Sequence, residues 1–325
     1  MLYSLLAIFT GFALLIWSAD RFIIGAAATA RNLKISPLVI GLTVVGFGTS
    51  APEMLVSAIA SLDGSPCLAE GNALGSNITN IALVLGIAAL IKPLDVHSRI
   101  LKKELPMLLV SMLLALLLVQ DNHLGLSDGL VLLSTLFLIM WWITREALNN
   151  REFDPMQAEY EEELPPEMPV PRALFWLILG LALLLLSSKI LVWGAVNIAT
   201  SFGVSELIIG LTIVALGTSL PELAATVASA LKNEHDIAIG NIVGSNLFNM
   251  LAVFGLPGLL APSALDSGVL ERDFPIVFVL TIALVVMAYG FNKPGRINRI
   301  EGGILVLSFF AYQALLYYTV SRSIL

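Results

Sequence analysis

Ten apolar runs, most of them long enough to cross a bilayer as a helix, dominate this chain of 325 residues. Lipid offers no partner for a bare backbone N–H or C=O, so such a run is stable there only as a helix or in a closed barrel. The runs lie at roughly 3–31, 37–62, 71–91, 105–120, 126–144, 172–200, 205–231, 237–260, 273–290 and 301–320. The sequence therefore predicts an all-α membrane protein with ten transmembrane helices. Five precede and five follow an acidic stretch, Glu146–Glu167, whose eight acids and one arginine carry the whole formal charge of -7. With Pro155, Pro165 and Pro166 it reads as a solvated linker. It lacks the D-x-D-x-D-G spacing of a calcium loop. The expected organisation is a first five-helix repeat over 1–144, a cytoplasmic linker over 145–171 and a second repeat over 172–325.

Composition excludes other classes. The chain is 58% hydrophobic and 13% charged, against about 25% charged in soluble domains. That rules out an ordinary cytosolic enzyme, a nucleic-acid binder and a disordered protein. Cys67 is the single cysteine, so no intrachain disulfide or cysteine metal site can form. His97, His123 and His235 have no metal-ligand spacing. The first residues, MLYSLLAIFTGFALLIW, have no basic residue ahead of the apolar run and read as a retained span. With ten spans both termini share a side. Leaving aside Arg21 and Lys189, the opposite loops hold thirteen Lys and Arg, and the terminal side holds Arg272 and Arg322. The positive-inside rule then places both termini outside and the acidic loop in the cytoplasm.

The chain is internally duplicated. Ile40–Leu94 aligns without a gap on Ile209–Ser263 at an offset of 169, with about 22 identities in 55 positions. Both copies share GTS-x-PE followed by GN-x-x-GSN-x-x-N, a likeness that shared Leu, Val and Ala would not produce. Five spans per copy is odd, so the second copy enters the membrane from the opposite side. Inverted repeats of this kind hold substrate near the midplane, at the interface between copies.

Each copy carries one acid in its second span, Glu53 and Glu222. Such an acid costs about 2.5–3.5 kcal/mol at a helix centre. No basic residue lies in the spans of the duplicated motif. Pro52 and Pro221 remove an N–H and free the carbonyls of Gly48 and Gly217. Thr49, Ser50, Thr218 and Ser219 add hydroxyls. A cluster of oxygens around two negative charges suits hard cations such as Ca²⁺ and Na⁺. On the partner helices Asn72, Ser76 and Asn80, and again Asn241, Ser245 and Asn249, are spaced i, i+4, i+8 on one face. Asn72 and Asn241 read as structural. Asn77 and Asn246 fall off that face, where helix–helix hydrogen bonding and ligation are equally compatible. Gly71, Gly75, Gly240 and Gly244 permit tight helix contact.

IGLT…GTS-x-PE…GN-x-x-GSN-x-x-N, occurring twice, resembles the α-repeats of the Ca²⁺/cation antiporter superfamily, the sodium/calcium exchangers. It is most similar to the bacterial inner-membrane YrbG-type branch. The resemblance implies a multi-pass inner-membrane antiporter with a midplane site and no cofactor. It assigns the calcium carboxylates to Glu53 and Glu222 and hydroxyl ligands to Thr49, Ser50, Thr218 and Ser219. Metal contact falls above all on Glu53, Glu222, Thr49 and Thr218. Carbonyl ligands fall on Gly46 and Ala215, and partner-helix ligands on Ser76, Asn80, Ser245 and Asn249. Some members carry Asp at the last position. Asn249 leaves two carboxylates here, and weakens any K⁺ requirement. The implied activity is exchange of three Na⁺ for one Ca²⁺, with spans 1 and 6 sliding past the other eight. Asp20 and Lys189, matched at the same offset on those two spans, are a candidate ion pair. The alternative is H⁺ in place of Na⁺, since buried carboxylates titrate readily. An intramembrane hydrolase lacks G-x-G-D and any Ser/His pair, and a passive channel suits matched acids in broken helices poorly. The expected partners are Ca²⁺, Na⁺ or H⁺ and the lipid bilayer; protein partners are not indicated.

Overall fold

The computed structural model describes residues 1–33, 35–96, 101–149, 168–202, 215–266, 268–289 and 295–323. Most of the acidic linker, and residues 203–214 at the start of the seventh run, lie outside this set. The described chain is helical almost throughout. Helix α1 (Leu2–Leu33) matches the first run. The second run forms α2 (Pro37–Thr49) and α3 (Ala51–Leu62), bent by 42° at the break. Ser36 starts α2 by accepting a hydrogen bond from the Leu38 N–H, with Pro37 at the first helical position. Helix α4 (Pro66–Ile91) begins five residues before the expected 71, because Pro66 provides a ready helix start after the turn at Gly64. Then follow α5 (Leu101–Leu118) and α6 (Leu126–Asn149).

The second half repeats the pattern. It contains α7 (Val170–Ser201), the short α8 (Ala215–Thr218), α9 (Leu220–Leu231), α10 (His235–Leu260), α11 (Phe274–Tyr289) and α12 (Arg299–Ser323). Helices α8 and α9 are offset from Gly46–Thr49 and α3 by 169 residues, the spacing of the sequence repeat. Among the described residues six helices are long and apolar enough to cross a membrane, or seven if the bent pair is one span. At 12 residues, α9 is shorter than a span, and α5 carries Lys102, Lys103 and Glu104 in its first turn.

Four short strands were not expected from the sequence. Strand β1 (Leu94–Val96) pairs antiparallel with β4 (Gly295–Ile297), and β2 (His123–Leu124) with β3 (Ser263–Ala264). They show how the copies are arranged. Strand β1 follows α4, and β3 follows α10, its repeat mate. Strands β1 and β2 lie at opposite ends of α5, whose 18 residues span about 27 Å. Because β3 rests on β2, the mates α4 and α10 end at opposite ends of α5. The repeats are inverted.

Helices α1 and α7 pack antiparallel. The close approaches run Gly194 to Ser4, Gly11 to Leu191, Gly180 to Phe22 and Gly25 to Leu177. A Cβ at each of these glycines would meet backbone of the other helix. This is the small-residue contact that holds helices together where lipid supplies no hydrophobic drive. The ion pair expected between Asp20 and Lys189 does not form. Asp20 pairs with Lys232 at 2.6 Å, at the end of α9, and Lys189 is exposed. Equivalence in the repeat does not make two residues neighbours when the helices run antiparallel. A second pair, Arg31 to Glu234 at 3.8 Å, ties α1 to the same turn. Burial holds the Glu234 carboxyl above its usual range, and Arg31 opposes this.

The core lies between α2, α4 and α10. Helix α10 is buried on every side through its central 18 residues, as its apolar faces require where no side meets lipid, and Leu260 at its end is exposed. Gly240 and Gly244 let it reach α2, where a Cβ at Gly244 would strike the Leu42 carbonyl and one at Gly240 the Leu38 carbonyl. The matching approach for Gly71 and Gly75 would fall on residues 207–211, outside the described set.

Candidate cation site

The two helix breaks face each other across the repeat interface. Ser50 and Ser219 sit between helices with φ/ψ of -80/2 and -87/4. Pro52 and Pro221 follow two residues later, and Glu53 and Glu222 occupy the first turns of α3 and α9. This is what an interior proline dictates: the helix breaks and restarts with the proline in its first turn. Glu53 and Glu222 are fully buried. Ser50 of the first break reaches Glu222 of the second, so both acids sit at the same interface. None of the ion pairs among the described residues involves either acid.

Hydroxyls and amides cross the interface. Ser50 Oγ donates to Glu222 Oε1 at 3.3 Å. Thr49 Oγ1 donates to Asn241 Oδ1 at 3.1 Å and lies 3.3 Å from Ser245 Oγ. Asn241 Nδ2 reaches the Glu222 carbonyl at 3.4 Å and Thr226 Oγ1 at 2.9 Å. Its mate Asn72 Nδ2 donates to the Glu53 carbonyl at 3.2 Å. Both asparagines brace the backbone that carries an acid, as their structural reading requires. The Gly46 carbonyl accepts from the Ser50 N–H at 3.1 Å and from Thr49 Oγ1 at 3.4 Å. Ala215 opens the short helix ahead of Gly217 and Thr218.

Many polar atoms here have no partner. Both Glu53 oxygens, Glu222 Oε2 and Ser219 Oγ are buried without a hydrogen bond. So are both amide atoms of Asn77, Asn80, Asn246 and Asn249. Ser76 and Ser245 are buried beside them on α4 and α10. Native interiors satisfy nearly all buried polar groups, so such a cluster points to something that binds there. Its oxygens and two carboxylates suit a hard cation. Among the described residues no three His, Cys, Asp or Glu side chains converge, so hydroxyls, carbonyls and amides complete any coordination shell. Asn77 and Asn246 make no helix–helix hydrogen bond, which removes one of the two roles expected for them.

Two features escaped the sequence reading. Among the described residues four π-turns occur, and two of them, Thr79–Leu85 and Asn249–Val253, contain Asn80 and Asn249. π-Turns widen the helix and often mark functional positions. Ser188 of α7 donates to the Gly217 carbonyl at 2.8 Å, satisfying the group that Pro221 leaves free. Its repeat mate is Ala19, so the first copy has no equivalent. The only signal was a Ser-Ser pair inside an apolar run.

An inverted-repeat membrane fold enclosing two unpaired carboxylates and a set of unpartnered oxygens defines a cation transporter. The comparisons give the family. The family model described as sodium/calcium exchanger protein matches residues 3–145 and 172–318, and the chain belongs to that family. CaxA of Alkalimonas amylolytica is 49% identical over 317 residues, covering 98% of this chain and 99% of that protein. The inner membrane protein YrbG of Escherichia coli K12 is 39% identical, covering 98% of each. A solved structure of the sodium-calcium exchanger NCX_Mj, soaked with 2.5 mM Na⁺ and 1 mM Sr²⁺, superposes with a TM-score of 0.84 at 30% identity, over 97% of this chain and 98% of that one. The chain is a multi-pass membrane transporter, not an enzyme.

Proposed function

We propose that this protein exchanges Ca²⁺ for Na⁺ across the inner membrane by alternating access. The observation that carries the proposal is the meeting of Glu53 and Glu222, fully buried and without a basic partner, at the interface of inverted repeats. A dehydrated divalent cation there is neutralised by the two charges, and so are two monovalent cations. One pair of carboxylates cannot serve both loads, so the ions compete and exchange follows. Ligands would come from Thr49, Ser50, Thr218 and Ser219, the carbonyls of Gly46 and Ala215, and Ser76, Asn80, Ser245 and Asn249. The repeats would span 1–144 and 172–325, with the 145–171 loop in the cytoplasm and both termini outside. The likeness to the sodium-calcium exchanger NCX_Mj and to the inner membrane protein YrbG supports this reading.

The test is ⁴⁵Ca²⁺ uptake into proteoliposomes driven by an outward Na⁺ gradient. Uptake by the wild type, lost in Glu53→Gln and in Glu222→Gln, is expected. No uptake by the wild type, or full uptake by either variant, rejects the proposal. Uptake driven by a pH gradient without Na⁺ would assign H⁺ as the counter-ion.

A further inference from the structure

A third acid is buried in α4, away from the pair at the interface. Glu70 has no exposed surface. Its Oε1 lies 3.4 Å from the Ser263 hydroxyl of β3, and its Oε2 has no hydrogen-bond partner. The charge acting on it is that of another acid, Asp266. Burying an unpaired carboxylate is costly, and only a cation or a proton removes the cost.

Its position gives the acid a direction. Glu70 is in the second turn of α4, one turn beyond the exposed Cys67. Ser263 belongs to the β2–β3 ladder, so Glu70 lies near that surface. At 100° per residue Asn77 falls within about 20° of Glu70 on the same helix face, about 10 Å deeper. Asn77 is fully buried, and both its amide atoms are unpartnered. Unsatisfied polar groups thus lie on one face of α4 at Glu70 and again about 10 Å deeper at Asn77, with Asn80 one turn further on. The second repeat lacks this feature: the residue matching Glu70 is Ile239, 1% exposed, in the hydrophobic core. Glu70 therefore serves one side of the membrane alone.

We propose that Glu70, with Ser263, is a staging site for the transported metal cation, occupied between the β2–β3 surface and the site of Glu53 and Glu222. One carboxylate and one hydroxyl leave most of a cation's shell to water, which suits a transit position rather than a resting one. The inference rests on the exchange activity proposed above and adds a second site to it.

Two measurements test it. In proteoliposomes, Ca²⁺ is varied on one face at a time. Glu70→Gln is expected to raise the half-saturating Ca²⁺ concentration on the β2–β3 face by about 3–10-fold. The opposite face and the maximal rate stay as in the wild type, and Glu70→Asp restores most of the loss. A merely structural Glu70 would change both faces alike, and that result, or no change on either, overturns the proposal. The second measurement needs no transport. Alkylation of Cys67 by N-ethylmaleimide is followed in the full-length protein in detergent, with Ca²⁺ titrated at constant ionic strength. The rate should change by at least about twofold in the wild type and stay flat in Glu70→Gln. A flat wild-type titration overturns the proposal. A responsive Cys67 in a protein that shows no exchange would uphold the staging site and reject the function instead.

Discussion

Asn241 ties the interface together, because one amide joins three elements. It accepts from Thr49 on α2 and donates to Thr226 and to the Glu222 carbonyl on α9. Asn241→Ala leaves the Thr226 hydroxyl without its partner and removes the tie from Thr49 to α10, although Thr49 keeps its bonds to the Val45 and Gly46 carbonyls, at a cost of about 1–3 kcal/mol. We expect a clear loss of thermal stability in detergent together with weaker Ca²⁺ binding. A variant that melts and binds like the wild type would show that the network does not position Glu222. Ser188→Ala should cost stability by the same reasoning, since the Gly217 carbonyl then has no donor. Ala19 fills the matching place in the first repeat, so the loss belongs to the second copy alone. The helix break that carries Glu53 and the bracing by Asn72 and Asn241 were legible in the sequence, because a proline ahead of an acid and a repeated Asn in apolar runs have few other uses. Ser188 was not, because one hydroxyl among leucines is equally well satisfied by its own helix.

At the scale of elements, the crossing of α2 and α10 fixes how closely the ligands converge. Gly244 faces the Leu42 carbonyl and Gly240 the Leu38 carbonyl, and backbone cannot step aside. Gly244→Ala should push the helices apart and abolish Ca²⁺ binding. Gly303→Ala, where the added methyl meets only a Leu90 side-chain carbon at 3.8 Å, should be tolerated. Equal behaviour of the two variants in a binding assay would contradict this account of the crossing. The break in the second run was readable from Pro52. The π-turns and strands were not, since both depend on which backbone groups meet in three dimensions rather than on local residue preference. The Asp20 pairing went wrong for a related reason: Lys232 lies in the turn after α9 and its nearness to α1 is purely tertiary. That turn should also respond to pH. The folded-state value for Glu234 is raised by burial, so the folded protein holds its proton more tightly than the unfolded chain does. Its contribution to stability is therefore full at low pH and lost as pH rises through the folded value. Glu234→Gln should flatten that part of the stability–pH curve, and an unchanged curve would count against it.

For the whole molecule the decisive property is inversion. Strand pairs β1–β4 and β2–β3 at opposite ends of α5 show mates α4 and α10 ending on opposite sides. Inversion was available from the odd span count and the 169-residue repeat. The same symmetry brings one acid from each copy to a common interface, where two identical helix breaks face each other. Alternating access would then exchange one half of a near-symmetric structure for the other, with the asymmetries at Ser188 and Glu70 distinguishing the two directions. The orientation argument predicts that a reporter fused after Leu325 is periplasmic and one inserted at Glu159 is cytoplasmic; the reverse pattern would contradict the charge asymmetry of the loops. The most direct measurement is equilibrium ⁴⁵Ca²⁺ binding to the purified protein, titrated with Na⁺. The account predicts one saturable midplane site that Na⁺ empties competitively and that disappears in the Glu53→Gln, Glu222→Gln double variant. Ca²⁺ binding that persists when Glu70→Gln is added to the double variant, so that no staging site remains, or midplane binding that Na⁺ does not displace, would contradict it.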